Sequence, residues 1–168
     1  MQRILGIDPG SRITGWGVID SDGVRSRHVA SGSLRLKADE MPQRLGEIFH
    51  GVSNIVAEHR PAMMAVEQVF VSRNAATALK LGQARGAAIC AGVAGGLVVA
   101  EYSPREVKLS VVGTGAAEKA QVQHMVQRIL GLVTEPATDE ADALAIAITH
   151  AHSLRMQQNL LRLAGRQR

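Results

Sequence analysis

Four carboxylates stand where a sequence can hold chemistry. Asp8 closes the apolar run Ile4-Leu5-Gly6-Ile7, just before Pro9-Gly10-Ser11. Glu67 closes a second run, from Ala62 to Val66. Asp139 and Asp142, three apart, open an apolar stretch that runs from Ala141 to about His152. A short apolar run bounded by turn residues reads as a strand buried on both faces. An acid at its end sits at the C-terminal edge of the sheet, where α/β folds place their chemistry. Residues three apart at a helix start share one face. Three or four such oxygen donors in one cleft would repel one another without a cation. Hard-oxygen ligation of this kind suits Mg²⁺ or Mn²⁺. Two such ions can activate water and stabilise a leaving oxygen in phosphodiester cleavage. Three of the acids also have a plainer account. Asp139 and Asp142 suit the N-terminal end of a helix dipole, and Asp8 suits an Asx-turn before Pro-Gly. Glu67 is harder to dismiss, because it interrupts an apolar strand for no structural gain.

The basic residues form a second constellation. Net charge is +4 with 19 Lys and Arg against 15 acids, and Arg outnumbers Lys. The planar fork of Arg favours phosphate, so this bias leans towards an anionic polymer, although a solvated basic surface explains it equally well. Arg12, Arg73, Lys80, Arg85, Arg105, Lys108 and Lys119 lie in or near loops that follow strands or open helices. Such residues can position a nucleic acid without reading its sequence, while any one of them taken singly suits a solvated charge. Lys108 and Lys119 flank Gly113-Thr114-Gly115 and are the pair best placed for a scissile strand. Phe70, three residues past Glu67, could stack on or wedge between bases, or cap the strand end as a core residue.

Other chemistries lack their signatures. No GxGxxG follows a strand, and Gly113 to Lys119 lacks P-loop spacing. His150 and His152 fall on different helix faces and read as structural. Cys90, the single cysteine, lies in an Ala/Gly-rich helix and reads as a small buried hydrophobe, in keeping with a reducing cytoplasm. Met1-Gln2-Arg3-Ile4 leads straight into a strand without signal-peptide architecture. The apolar stretches are interrupted by Lys80, Gln83 and Arg85, or by Asp142 and His150, so none reads as a membrane span.

The elements that must position these groups follow from periodicity. After the first strand, Thr14 to Asp20 reads as a strand, Ser21-Asp22-Gly23 as a hairpin turn, and Val24 to Leu36 as a third strand. Met41 to Arg60 is a helix with Leu45, Ile48, Phe49, Val52, Ile55 and Val56 on its apolar side and Arg44, Glu47, Asn54 and Glu58 on the other. Ala62 to Glu67 is a strand, Asn74 to Ala94 a long helix, and Leu97 to Glu101 a strand. Ser103-Pro104-Arg105-Glu106 has the form of a capping box with proline at the first helical position. Helices follow over Glu118 to Leu130 and Ala141 to about His152. Residues 1–152 thus read as one nuclease-like domain, and 153–168 as a basic tail, weakly helical or disordered. In the long helix Gly82 and Gly86 are four apart despite the poor helix propensity of glycine. Something packs closely there, either the sheet or, preferably, a second copy of the helix at a dimer interface. The order predicts an α/β fold, ribonuclease H-like, a mixed five-stranded sheet with helices on both faces.

These segments together resemble the RuvC family of Holliday-junction resolvases. The likeness is carried by Ile4 to Arg12, Ala65 to Phe70, Ala78 to Gly86, Glu118 to Val122 and Asp139 to Ala145, in order and at family spacing. The resemblance implies a homodimeric endonuclease that cuts two opposed strands of a four-way junction, using Mg²⁺ or Mn²⁺, alongside the RuvA and RuvB branch-migration proteins. It implies metal-binding acids at Asp8, Glu67, Asp139 and Asp142, a junction-stacking aromatic at Phe70, and active-site lysines at Lys108 and Lys119. Three rivals stand beside it. An actin-like ATPase or sugar kinase shares the Asp8-x-Gly10 opening but needs a second lobe. A non-catalytic junction binder would lose acids that this chain retains. A related nuclease acting on RNA would lack the match along the long helix and Phe70.

Overall fold

The computed structural model describes residues 1–68 and 74–165. Three strands come first: β1 (Gln2–Asp8), β2 (Ile13–Ser21) and β3 (Ser26–Arg35). There follow α1 (Met41–His59), β4 (Met63–Glu67), α2 (Ala75–Ala94), β5 (Val98–Tyr102), α3 (Pro104–Val112), α4 (Lys119–Leu130) and α5 (Thr138–Gly165). The sheet order is β3-β2-β1-β4-β5. The first three strands form an antiparallel meander, and β4 and β5 continue the sheet parallel to β1. This is the mixed five-stranded sheet that the sequence pattern predicts.

Strand alternation divides the interior into two cores. Leu5, Ile7, Val18, Met64 and Val66 point to one face, where they meet Ile48, Val52 and Ile55 of α1 and Ala84, Ala88 and Ala91 of α2. Ile4, Ile19 and Ala65 point to the other, where they meet Val107 and Val111 of α3, Val122 and Val126 of α4, and Leu144 to Ile148 of α5. The local signals hold. Asn74 caps α2 through the backbone N–H groups of Ala76 and Thr77. Ser103 and Glu106 form the reciprocal capping box of α3.

Three expectations need correction. Arg44 does not lie on the open side of α1. It is buried, and its guanidinium donates to the backbone oxygens of Ala38 at 2.7 Å and of Asp39. A buried guanidinium needs acceptors, and the carbonyls of the β3–α1 loop supply them. Cys90 is exposed, not buried. The inward face of α2 is taken by Ala84, Ala88 and Ala91, and Cys90 falls outside it. The last helix does not end near His152 but runs unbroken to Gly165, with the side chains from Arg155 to Ala164 exposed.

The decisive packing event is the approach of α5 to the sheet. Gly6 of β1 pairs with Gly17 of β2, and Asp8 pairs with Gly15. All four residues share the face that α5 covers. A Cβ added to Gly6 would stand 2.0 Å from the carbonyl oxygen of Ala143, and one added to Gly15 would stand 2.0 Å from that of Asp139. The backbone of α5 therefore rests on bare strand backbone, and Ala143, Ala145 and Ala147 keep the helix itself slim where it is buried.

Backbone cannot yield to a methyl group as a flexible side chain can. Gly6→Ala and Gly15→Ala should each destabilise by about 3 kcal/mol, at the upper end for overpacking. Gly46→Ala in α1, where an added Cβ meets nothing within 4 Å, should be neutral or stabilising by up to about 1 kcal/mol. Urea denaturation of the three variants checks this.

Candidate active site

Register alone places the first two acids together. Ile7 of β1 pairs with Val66 of the parallel β4, so Asp8 and Glu67 are next in line on adjacent strands. Asp8 shares a face with Ile4 and Gly6, and Glu67 shares one with Met63 and Ala65, so both point to the side covered by α3, α4 and α5. The other two acids come with α5. The contact of Gly15 with the Asp139 carbonyl sets the first turn of the helix over the end of β2, opposite Asp8. Asp142 follows one turn later. The turn between β1 and β2 is closed by Thr14, which is fully buried. Its hydroxyl donates to the carbonyl of Gly10 at 3.1 Å and accepts from the Gly10 N–H at 3.3 Å.

The result is a cleft of about 560 Å³ lined by all four acids, by Lys108 of α3 and Lys119 of α4, and by Pro9, Gly10 and Gln68. Lys119 Nζ donates to Asp142 Oδ2 at 3.2 Å. The proximity of the acids is visible in their protonation. Burial first, then the charges of Asp142 and Asp139, raise the Asp8 carboxyl from 3.8 to about 6, against the opposing pull of Lys119. Burial, then Asp8 and Asp142, raise Glu67 from 4.5 to about 7, against Lys119 and Lys108. The Lys119 ammonium is held above its ordinary value chiefly by Asp142.

This donor set fits a hard divalent cation. The four acids are all oxygen donors, partly desolvated, and burial and mutual repulsion make two of them resist ionisation. Among the described residues no three of these side chains stand together as a ready-made metal cage. The fit rests on the chemistry of the donors: Mg²⁺ takes few protein carboxylates and fills its other positions with water and substrate oxygens.

The other basic residues are scattered. Arg12, after β1, and Lys80, near the start of α2, are exposed. Arg85 is turned inwards: its Nε donates to the Glu67 carbonyl oxygen at 3.2 Å, and its guanidinium pairs with Glu101. Phe70 and Arg73 lie outside the described residues. His150 and His152 have the structural roles read from their spacing. His150 Nδ1 lies 2.8 Å from the Tyr102 hydroxyl and His152 Nδ1 lies 3.1 Å from that of Ser110. Sequence reasoning missed Gly6, Gly15 and Gln68 as parts of the site. The signal for the glycines was there, since Gly15 and Gly17 alternate along β2 on one face.

The raised carboxyls make stability depend on pH. Each binds its proton more tightly in the folded chain than in the unfolded one. Their contribution therefore favours folding below about pH 4 and turns against it as pH rises through about 6 for Asp8 and about 7 for Glu67. In EDTA, the Tm should fall as pH is raised from 5 to 8. Asp8→Asn should flatten that fall and raise the Tm at the alkaline end by roughly 2–6 °C. Differential scanning fluorimetry across the pH series measures both.

Comparison with known proteins covers the stretch of chain that carries these residues. The crossover junction endodeoxyribonuclease RuvC family matches residues 4–150. A crossover junction endodeoxyribonuclease RuvC of Alkalilimnicola ehrlichii is 57% identical over 162 residues, which cover 96% of this chain and 98% of the relative. The protein of that name from Methylococcus capsulatus is 55% identical over 166 residues, covering 99% and 100%. Among solved structures, Thermus thermophilus RuvC in complex with Holliday junction substrate superposes with a TM-score of 0.88 at 37% identity, covering 94% of this chain and 97% of that one. The yeast mitochondrial Holliday junction resolvase Ydc2 superposes with a TM-score of 0.67 at 14% identity, covering 96% and 86%, a likeness of fold alone. Identity of this extent, sustained over nearly the full length of both partners, establishes that the chain belongs to the RuvC family of crossover junction endodeoxyribonucleases.

Proposed function

We propose that this crossover junction endodeoxyribonuclease resolves four-way (Holliday) DNA junctions, in recombination and repair, by metal-dependent nicking of two opposed strands. The observation that carries the reading is the meeting of four acids and two lysines in one cleft at the strand ends. The junction bound to the Thermus thermophilus relative supports the substrate.

In this reading Asp8, Glu67, Asp139 and Asp142 hold Mg²⁺ or Mn²⁺, two ions per site. Bound there, the ions would supply an activated water and stabilise the leaving oxygen. The protein's own groups do the rest. Burial and the neighbouring acids disfavour the ionised forms of Asp8 and Glu67, a cost that a bound cation would offset. Lys119 holds Asp142 by an ion pair while its side chain stays 74% exposed, so the ammonium is free to turn to a phosphate. Lys108, on the same cleft wall, faces the same phosphate. Arg12, Lys80 and Arg73 contact the backbone further out, and Phe70 stacks at the junction. RuvA and RuvB are the partners that the family resemblance adds.

A four-way junction is two-fold symmetric, and a two-fold dimer presents two matching sites. The dimer surface in this reading is the open face of α2. Among the described residues, added Cβ atoms on Gly82 and Gly86 meet nothing within 4 Å, so the packing described gives no reason for these glycines. They continue an exposed stripe with Leu79 and Val93, which are 68% and 58% accessible. Apolar residues at spacings of three and four around small ones suit a second helix.

On a synthetic four-way junction with Mg²⁺, wild type should make paired nicks that EDTA abolishes, and linear duplex should stay intact. Asp8→Asn should lose several kcal/mol of transition-state stabilisation, about three orders of magnitude in rate, while still binding. Tight binding without cutting in any divalent metal would instead mark an architectural protein. Gly82→Leu should shift sedimentation towards monomer; an unchanged profile would move the interface elsewhere.

A further inference from the structure

We propose that Arg85 and Glu101 form a brace that positions Glu67, and that Arg85 does not serve as a DNA contact. The inference rests on the reading of Glu67 as a metal-holding acid. Arg85 lies on α2 with its side chain only 21% accessible. Its Nε donates to the carbonyl of Glu67, the last residue of β4, at 3.2 Å. The other side of the guanidinium pairs with the carboxylate of Glu101 on β5. Glu101 pairs in register with Val66, and Tyr102 with Glu67. One side chain thus ties a helix, the end of a central strand and the edge strand at the residue before the chain leaves the sheet.

The geometry separates bracing from electrostatics. Glu67 points its carboxyl to the α3–α5 face, whereas Arg85 reaches its backbone from the α2 face. The charges that act most strongly on the Glu67 carboxyl are those of Asp8, Asp142, Lys119 and Lys108, which line the cleft on the far side of the sheet from α2. Two acceptors in different directions need a rigid fork of donors, which Arg has and Lys lacks. A guanidinium held between a carbonyl and a carboxylate, with its side chain 21% accessible, is fixed in place on the α2 side of the sheet. Tyr102 secures the same corner from the far side: its carbonyl accepts the Gln68 N–H at 2.8 Å and its hydroxyl meets His150.

The test compares full-length wild type, Arg85→Lys, Glu101→Gln and Glu67→Gln. Two readouts are taken: Mn²⁺ binding to the free protein by electron paramagnetic resonance, and junction affinity in EDTA as a function of salt. Arg85→Lys and Glu101→Gln should each weaken Mn²⁺ binding by about 10-fold, as for the loss of an outer partner of a metal ligand. Junction affinity and its salt slope should stay at wild-type values. Glu101→Gln is a mild change at a half-exposed site and keeps the test alive should the Arg85 variant fold poorly. The inference is overturned if both variants bind Mn²⁺ as wild type does while Glu67→Gln does not. It is equally overturned if Arg85→Lys lowers junction affinity in EDTA and Glu101→Gln does not, which marks a phosphate contact. Unchanged Mn²⁺ binding in Glu67→Gln would sink the metal reading itself and the brace with it.

Discussion

The cleft depends on one close contact, the seating of α5 on the bare backbone of β1 and β2. Gly6 and Gly15 leave out side-chain atoms that would hold the helix off, and the carbonyls of Ala143 and Asp139 occupy the space. That contact fixes the height and tilt of α5, and its first two turns carry two of the four acids. The parallel pairing of β1 with β4 fixes the other two. A helix seated farther out would leave Asp139 and Asp142 away from Asp8 and Glu67, whatever their chemistry.

The same seating sets up an electrostatic conflict. Packing acids into one half-buried cleft disfavours their ionised forms, and Asp8 and Glu67 show it in their raised values. Lys119 relieves part of the conflict through Asp142. In the proposed reading a divalent ion relieves the rest, and its binding would stabilise the fold by mass action. The surrounding elements resist the repulsion mechanically: two apolar cores clamp the sheet from both faces, and Arg85 and Tyr102 secure the end of β4 from opposite sides.

The places where the structure departs from the sequence pattern share a cause. Arg44, Arg85 and Cys90 were assigned by residue type, and in each case neighbours from another element decided the environment. Arg44 is buried because the β3–α1 loop offers carbonyls. Arg85 faces inwards because the end of β4 and Glu101 lie within its reach. Cys90 is exposed because a helix that packs through alanines turns a narrow face to the sheet. The partners of Arg85 lie on other elements well along the chain, and those of Arg44, though near in sequence, belong to the loop before its helix.

Much was nonetheless legible from the chain alone. Periodicity and turn residues located every strand and helix among the described residues, because those signals are local: apolar alternation, capping boxes, proline at helix starts. The four acids stood out because each sits at an element end, where burial alone gives no reason for a carboxylate. Local signals carry no distance between elements, so the sequence could nominate these acids without bringing them together. Strand register put Asp8 beside Glu67, and the glycine contacts brought Asp139 and Asp142 over them. Which lysine meets a carboxylate, which arginine is taken up as a strut, and which face of α2 stays open were decided by packing between segments far apart in the chain. Those outcomes depend on which surfaces meet, and only the tertiary structure settles that.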